Sequence, residues 1–412
     1  MTTKNNILKR FKDSAVGIIP KEWEVIKLED IGIFSKGNGV PKDKITSQGY
    51  PCLTYGDLYT KYDFIIKNIT SFINEEISKT SKQINGGDIC FAGSGETPQD
   101  IGKCATYLEN HPAYAGGDII ILTPNNKIID SLYVSYVINS HIGNKQRYKF
   151  AQGFSIVHIY TNNLKQIQIP LPPLNEQQKI VHILSLYDEA IEKQSKLIEK
   201  LELRKRGIMQ RLLTGRTRLP DFTTPWQKVK LGDIFTERNE TKCEHLALLS
   251  ITADKGVILQ SESDKKDTSN EDKSKYKRIC PNDIGYNTMR MWQGRSALSN
   301  IEGIVSPAYT IVTPKKNINT LFISEVIKLP RVIYDFWTHS QGLVGDTLNC
   351  KFHDFKQITV LIPSITEQNT ISNILTTIDE EINIQRKKLK TFRTQKRGLM
   401  QQLLTGKTRV KN

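Results

Sequence analysis

Three short strings in this 412-residue sequence have the spelling of catalytic or nucleotide-binding chemistry. Thr405-Gly406-Lys407-Thr408 ends like a phosphate-cradling loop, but the first glycine of such a loop would stand at Gln401. The near-copy Thr214-Gly215-Arg216-Thr217 lacks the lysine, so no cradle of backbone amides is expected at either place. Pro220-Asp221 with Glu240-Thr241-Lys242 is spelled like a metal-dependent nuclease core, whose carboxylates must converge from a sheet; Pro220-Asp221 falls in a linker instead. Gly93-Ser94-Gly95 lacks the third glycine of a dinucleotide fingerprint and is better suited to close approach of the backbone to a ligand.

Two other segments carry side chains suited to reading bases. AGSGETPQDIGK, Ala92 to Lys103, offers Ser94, Glu96, Thr97, Gln99 and Lys103 on a glycine-rich loop narrow enough to enter a groove. NTMRMWQGR, Asn287 to Arg295, offers Asn287, Arg290, Gln293 and Arg295; arginine pairs with guanine, and asparagine or glutamine with adenine. Tyr55-Gly56-Asp57 is a further candidate contact loop. The plainer alternative for each is a capped turn, a local ion pair or a phosphate contact, since phosphate and sugar take half or more of protein–DNA hydrogen bonds.

The charge supports a polyanionic partner. The net charge is +15, and after Glu381 there are ten lysines and arginines, Arg386 to Lys411, without an acid. Nucleic acid is the first expectation, ahead of an anionic membrane or a merely soluble surface. The six cysteines (Cys52, Cys90, Cys104, Cys243, Cys280 and Cys350) include no C-x-x-C pair, so reduced, buried thiols are expected, with no metal site and no cofactor. No segment has the roughly 20 apolar residues of a membrane span, and MTTKNNILKRFKDS lacks the apolar stretch of a secretion signal, which predicts a cytoplasmic protein.

The elements that would hold these loops are written twice. KRGIMQRLLTG, Lys205 to Gly215, recurs as KRGLMQQLLTG, Lys396 to Gly406. At the same offset of 191 positions, Glu176 matches Glu367, Gln177 matches Gln368 and Asp188 matches Asp379. Upstream, Trp23-x4-Leu28 matches Trp226-x4-Leu231. Repetition on this scale means a duplicated domain plus its following helix. Each copy opens with short β-rich runs such as DICFAGS, DIIILTP and YTIVTP, interrupted by one helix: Ser131 to Ser140 in the first and Thr320 to Leu329 in the second. Beyond Pro172-Pro173 and Pro363, with Asn175 and Thr366 placed as N-caps, two long helices follow.

Heptads put Leu184, Ile191, Ile198, Lys205 and Leu212 at a, and Ile180, Tyr187, Gln194, Leu201 and Ile208 at d. The second helix repeats this with Leu375, Ile382, Leu389, Lys396 and Leu403 at a, and Ile371, Ile378, Gln385, Phe392 and Leu399 at d. An apolar stripe of about 57 Å is longer than most single domains cover, and the matched glutamines and lysines penalise wrong registers. Two copies related by an approximate two-fold would pair these helices side by side and antiparallel, with a globule at each end. The fold class expected is α+β, with two globular domains separated by two long α-helices in a central antiparallel coiled coil, a pseudo-two-fold internal duplication.

LPPLNEQQKIVHILSLYDEAI, KRGIMQRLLTGRTRLP, IPKEWEVIKLEDI, WQKVKLGDIF and their second copies resemble the conserved regions of type I restriction-modification DNA specificity subunits, over essentially the whole chain. The resemblance implies target recognition domains at 1–173 and 216–363, conserved helices at 174–215 and 364–406, and a basic tail at 407–412. It implies a subunit without catalysis: each domain reads half of a bipartite, asymmetric site in double-stranded DNA, and the coiled coil sets the spacer. Two methyltransferase (M) subunits would dock on the helices, and restriction (R) subunits would join through the complex, bringing S-adenosylmethionine and ATP chemistry. No adenine-methylase N-P-P-Y string and no helicase motif is present. A stand-alone nuclease using Asp221, Glu240 and Lys242 is the rival reading, and a coiled-coil scaffold with no nucleic-acid role is the third.

Overall fold

The computed structural model describes residues 10–151, 157–252, 255–263, 267–342 and 348–410; the opening nine residues and the last two of the basic tail, on which some of the expectations above fall, lie outside the described residues. The chain divides into two units, one of Met1–Gln194 with Lys388–Asn412 and one of Ser195–Lys387.

In the first unit a five-stranded sheet runs Gly32–Lys36, Ile119–Pro124, Ile89–Ala92, Cys104–Tyr107, Ile65–Ile66, antiparallel except for the last pair. Its two central strands that flank the candidate loop are buried at every residue, so neither shows an alternation of apolar and polar faces. A second sheet orders Phe72–Ile73, Tyr50–Leu53, Ala113–Ala115, Lys82–Ile84. The helices of this unit include α1 (Tyr55–Thr60), α2 (Ser131–Ile138), α3 (His141–Phe150) and the start of α4 (Leu174–Leu212), whose 39 residues continue into the second unit.

The second unit repeats the plan. Its four-stranded antiparallel sheet runs Phe235–Glu237, Tyr309–Pro314, Ile284–Asn287, Ser296–Leu298, the order of the corresponding four strands of the first. Helices α5 (Thr320–Val326), α6 (Pro330–His339) and α7 (Ile365–Leu403, 39 residues) follow. The D-I signature that opens each central strand has a physical cause. Buried Asp88 accepts from Asn85 N at 2.8 Å and Thr123 Oγ1 at 2.5 Å, and buried Asp283 accepts from Cys280 N at 2.8 Å and Thr313 Oγ1 at 2.7 Å. Each carboxylate closes a turn and ties it to the neighbouring strand, as burial of a charge requires.

Within each unit the start of one long helix packs on the end of the other. Ile180 and Leu184 share a core with Met400, Leu403 and Leu404 in the first unit, and Leu212 and Leu213 share one with Ile371 and Leu375 in the second. The pairing is antiparallel in both. Along the expected seam Ile180, Leu184, Gln194, Ile198, Leu201, Leu212, Ile371, Leu375, Ile382 and Leu403 are buried. Tyr187, Ile191, Ile208, Ile378, Gln385, Leu389, Phe392 and Leu399 are half-buried. Each fully buried aliphatic side chain stabilises by roughly 1.5–3 kcal/mol before entropy is counted.

Three local expectations need correction. The long helices start at Leu174 and Ile365, one residue earlier than the expected caps, so Asn175 and Thr366 lie inside the first turn. In α7 the hydroxyl of Ser364 accepts from Glu367 N instead. Tyr55-Gly56-Asp57 is not a loop but the first turn of α1, fixed by Thr54 N and Oγ1 donating to Asp57 Oδ2, both at 2.8 Å. Each globule also holds a ten-residue helix, α3 or α6, directly after the one expected. The first has little apolar periodicity, and the second begins at Pro330, the one helical position where the missing N–H costs nothing.

Candidate nucleic-acid interface

The junction between globule and long helices is built from the same four residue types twice. Trp23 Nε1 donates to Glu176 Oε2 at 3.1 Å, and Arg409 binds that carboxylate through Nε at 2.6 Å and Nη2 at 2.9 Å. In the second unit Trp226 Nε1 donates to Glu367 Oε1 at 3.3 Å, and Arg218 binds it through Nε and Nη2, both at 2.9 Å. Each guanidinium also lies over its indole, 5.7 Å and 5.9 Å from the ring centroid. Gln177 and Gln368 tie the same helix starts to the globules, accepting from Asp130 N at 2.9 Å and Asn319 N at 3.0 Å, the caps of α2 and α5. The repeated Glu-Gln pair thus orients each globule on its helix ends.

Two lysines of the seam are ion-paired. Lys205 Nζ meets Asp379 Oδ1 at 2.6 Å, and Lys396 pairs with Asp188. Lys396 is 5% exposed and sits 3.7 Å from the Phe64 ring centroid and 4.9 Å from that of Tyr136. Burial lowers its pKa, with Asp188 pulling the other way.

The first candidate loop leaves the strand Ile89–Ala92 and returns as Cys104–Tyr107. Ser94 is buried, its hydroxyl 3.0 Å from His158 Nδ1, in a short strand paired with Val157–His158. Glu96, Thr97 and Gln99 are exposed, and Thr97 Oγ1 donates to Asp100 Oδ2 at 2.6 Å to close the tip. Lys103 is half-buried and turned to Tyr59 O and Asp63. The Tyr55 ring lies tilted at 41° against that of Tyr59, ring centroids 6.3 Å apart. Helix α1 packs against the strand Ile89–Ala92 and the first residues of the loop, and the Tyr59 phenol is raised by burial first, then by Tyr55, Glu96 and Asp100.

The second loop leaves Ile284–Asn287 and returns as Ser296–Leu298. Asn287 Oδ1 accepts from Met289 N at 3.0 Å; Arg290 is half-buried; Gln293 and Arg295 are exposed on either side of Gly294, whose φ of +73° lets the chain reverse. Sequence reasoning missed what lies beneath these loops. Arg147 of α3, only 2% exposed, donates to Ile101 O and Asn144 Oδ1, supporting the first loop from below. Ile333 of α6 lies against Gly294 in the second. The signal available was the apolar spacing of Val332, Ile333 and Phe336 after Pro330 in the second repeat; the first repeat offers none of comparable strength.

The rival chemistry is not assembled. Glu240 is bound by Arg278 Nη1 at 2.6 Å and Arg238 Nη1 at 3.4 Å, which hold its carboxyl below the usual range. Among the described residues no group of three or more His, Cys, Asp or Glu is placed to hold a metal. Thr405-Gly406-Lys407-Thr408 caps the end of α7, Gly406 taking φ +66°. Five of the six cysteines are buried and Cys280 is half-buried; all are free thiols. No described helix is long and apolar enough to cross a membrane.

The type I restriction modification DNA specificity domain matches residues 20–203 and again residues 223–391. The type I restriction enzyme MjaVIII specificity subunit of Methanocaldococcus jannaschii is 26% identical over 98% of this chain and 97% of its own. The fold is that of the type I restriction-modification S subunit from M. genitalium, with TM-score 0.58 and 16% identity over 92% of this chain and 96% of the other. A chain from a structure concerning complex assembly and conformational transition of the type I R-M system gives TM-score 0.59 at 16% identity, over 95% and 99%. With the domain matched twice, once on each globule and the helix behind it, the chain belongs to the type I restriction modification DNA specificity family.

Proposed function

We propose that this chain selects the sequence on which a type I restriction-modification complex acts, in the cytoplasm, while contributing no catalytic group itself. Residues 1–173 and 216–363 are the two recognition domains, each reading one half of a bipartite site in double-stranded DNA. Residues 174–215 and 364–406 pair through the heptad seam to set the unread spacer and to dock two methyltransferase subunits, through which restriction subunits join. Ser94 to Lys103 with Tyr55 reads one half-site, through Glu96, Thr97 and Gln99 at the tip; Asn287, Arg290, Gln293 and Arg295 read the other. Methylation and ATP-dependent cleavage belong to the partners.

The observation that carries this reading is the specificity domain matched twice on one chain, with a polar loop at the same place between the same two strands in each copy. A groove of about 720 Å³ beside the end of α4 supports the docking role: Met209, Leu213, Val326, Leu329 and Leu361 line it, and Arg206, Arg216, Lys228, Lys328 and Arg331 rim it. Methylome sequencing of a host expressing the chain with its methylase tests the whole. One split motif is expected, and Arg295→Ala should relax it in one half only, at about 1–3 kcal/mol of discrimination per base. Continuous or absent methylation motifs would refute the reading.

A further inference from the structure

Helices α3 and α6 occupy the same place in the two globules, follow directly after α2 and α5, and have the same length of 10 residues. Counted from the first residue, position seven is buried in both, Arg147 and Phe336, and position eight is an exposed aromatic in both: Tyr148 at 40% and Trp337 at 48%. A single exposed aromatic is ordinary, but one at the same helix position in two diverged copies, joined in the second by Tyr334 into a patch, points to a ligand.

The neighbouring groups say which ligand. Ile333, four residues before Trp337 and so on the same stripe, touches Gly294 of the second reading loop, which puts the indole within about one helical turn of Gln293 and Arg295. Tyr334 extends the surface, 60% exposed with its ring centroid 5.6 Å from that of Trp337. In α3, Arg147 holds Ile101 O of the first loop, and Tyr148 is flanked by exposed Lys145 and Lys149 with no acid in the helix. In the second globule the loop itself supplies the cation, exposed Arg295, and α6 carries one acid, the half-buried Asp335. An aromatic plate among cations, adjoining a reading loop, has the chemistry of a nucleic-acid surface, where rings stack on bases or sugars while cations meet phosphate.

We infer that Tyr148 and Trp337 lie against the DNA at the two half-sites, each stacking on a base or deoxyribose next to the bases its own loop reads. This rests on the DNA-reading function proposed above. Both residues are exposed, so their truncation leaves the cores intact.

The test uses the complex of this chain with its methylase and duplexes carrying the methylated motif. Trp337→Ala and Tyr148→Ala should each weaken binding by about tenfold or more, and each should relax the motif on its own side only. Trp337→Phe and Tyr148→Phe, which keep a stacking ring, should restore most of the loss. Unchanged affinity and motif in both alanine variants, with wild-type complex binding normally, would overturn this inference while leaving the function standing. Loss of methylase assembly in place of DNA affinity would overturn it too, by making the surface a protein contact. A wild-type complex with no salt-dependent DNA binding would remove both.

Discussion

Arg409 grips Glu176 across 233 residues of sequence through two parallel hydrogen bonds, and its counterpart Arg218 grips Glu367 in the same way. Both carboxylates are buried, so each needs its fork and its indole partner to offset desolvation. The hydrogen bonds to Glu176 first, then to Glu22, raise the Arg409 pKa further above its usual value.

Arg409→Ala leaves Glu176 with Trp23 alone and should cost about 1–3 kcal/mol, the range for losing a charged partner of a buried group. Arg218→Ala should cost about the same in the other unit. Glu176→Gln, still able to accept from Trp23, should be milder than Glu176→Leu. Thermal and urea unfolding of the variants measure this, and indifference to Arg409→Ala would contradict it.

The two seam lysines should differ. Lys205 is paired with a half-buried Asp379 near the surface, and Lys205→Met should change stability by less than about 1 kcal/mol. Lys396 packs over two adjoining rings as well as on Asp188, so Lys396→Ala should cost about 2–4 kcal/mol through lost ring contact and stem packing. Its lowered pKa also has a sign. Between the folded-state value and the ordinary 10.5 the unfolded chain keeps a proton that the folded chain has released, so this group's contribution to stability rises with pH through that window. Buried Tyr133 and Tyr136, both raised, act oppositely in wild type and variant alike. Against that shared background, Lys396→Met should lose stability more steeply with rising pH than wild type in unfolding curves taken up to pH 10.5.

Gly406 and Gly215 both end a long helix in the left-handed region, at φ +66° and +68°. A methyl group at Gly406 would fall 2.5 Å from Pro20 Cδ, whereas at Gly215 it would rest 3.4 Å from the Trp226 ring. Gly215→Ala should therefore cost about 1–2 kcal/mol for the backbone alone, and Gly406→Ala measurably more. Equal costs in calorimetry would show that Pro20 yields freely.

Adding one heptad to α4 and α7 in step preserves the seam and the Lys–Asp pairs while lengthening each helix by about 10.5 Å, close to three base pairs of DNA. The motif read by methylome sequencing should keep both half-sites and gain spacer. An active insert with unaltered spacing would show that the helices do not set it.

Much of this was legible in the sequence because it was written twice. The long helices announced themselves through matched apolar heptads, and Glu176 and Gln177 through their exact copies, although what those copies bind, Arg409, Trp23 and the cap of α2, is set by tertiary contact that no local pattern carries. The D-I strands were legible and the aspartate's anchoring role was not. Within the loops, composition flagged Ser94 and Lys103 alongside Gln99 and Arg295, yet the first is buried on His158 and the second is engaged with Asp63. Exposure is a property of the fold. Helix α3 escaped because it has little apolar periodicity, whereas α6 carries a legible stripe in Val332 and Phe336 that went unread; Arg147 and Phe336 fill the same place with opposite chemistry.

The Lys–Asp and Arg–Glu pairs join residues that the repeat makes equivalent. A protein truncated just after Arg218 would hold Lys205, Asp188, Arg218 and Glu176 together, every male and female part of the clasp. Two such half-length molecules could embrace head to tail and satisfy every one of those charges, giving a symmetric homodimer bound to read a palindrome. With both copies on one chain that identity is not imposed, and the two loops differ throughout, GSGETPQD in the first and TMRMWQGR in the second.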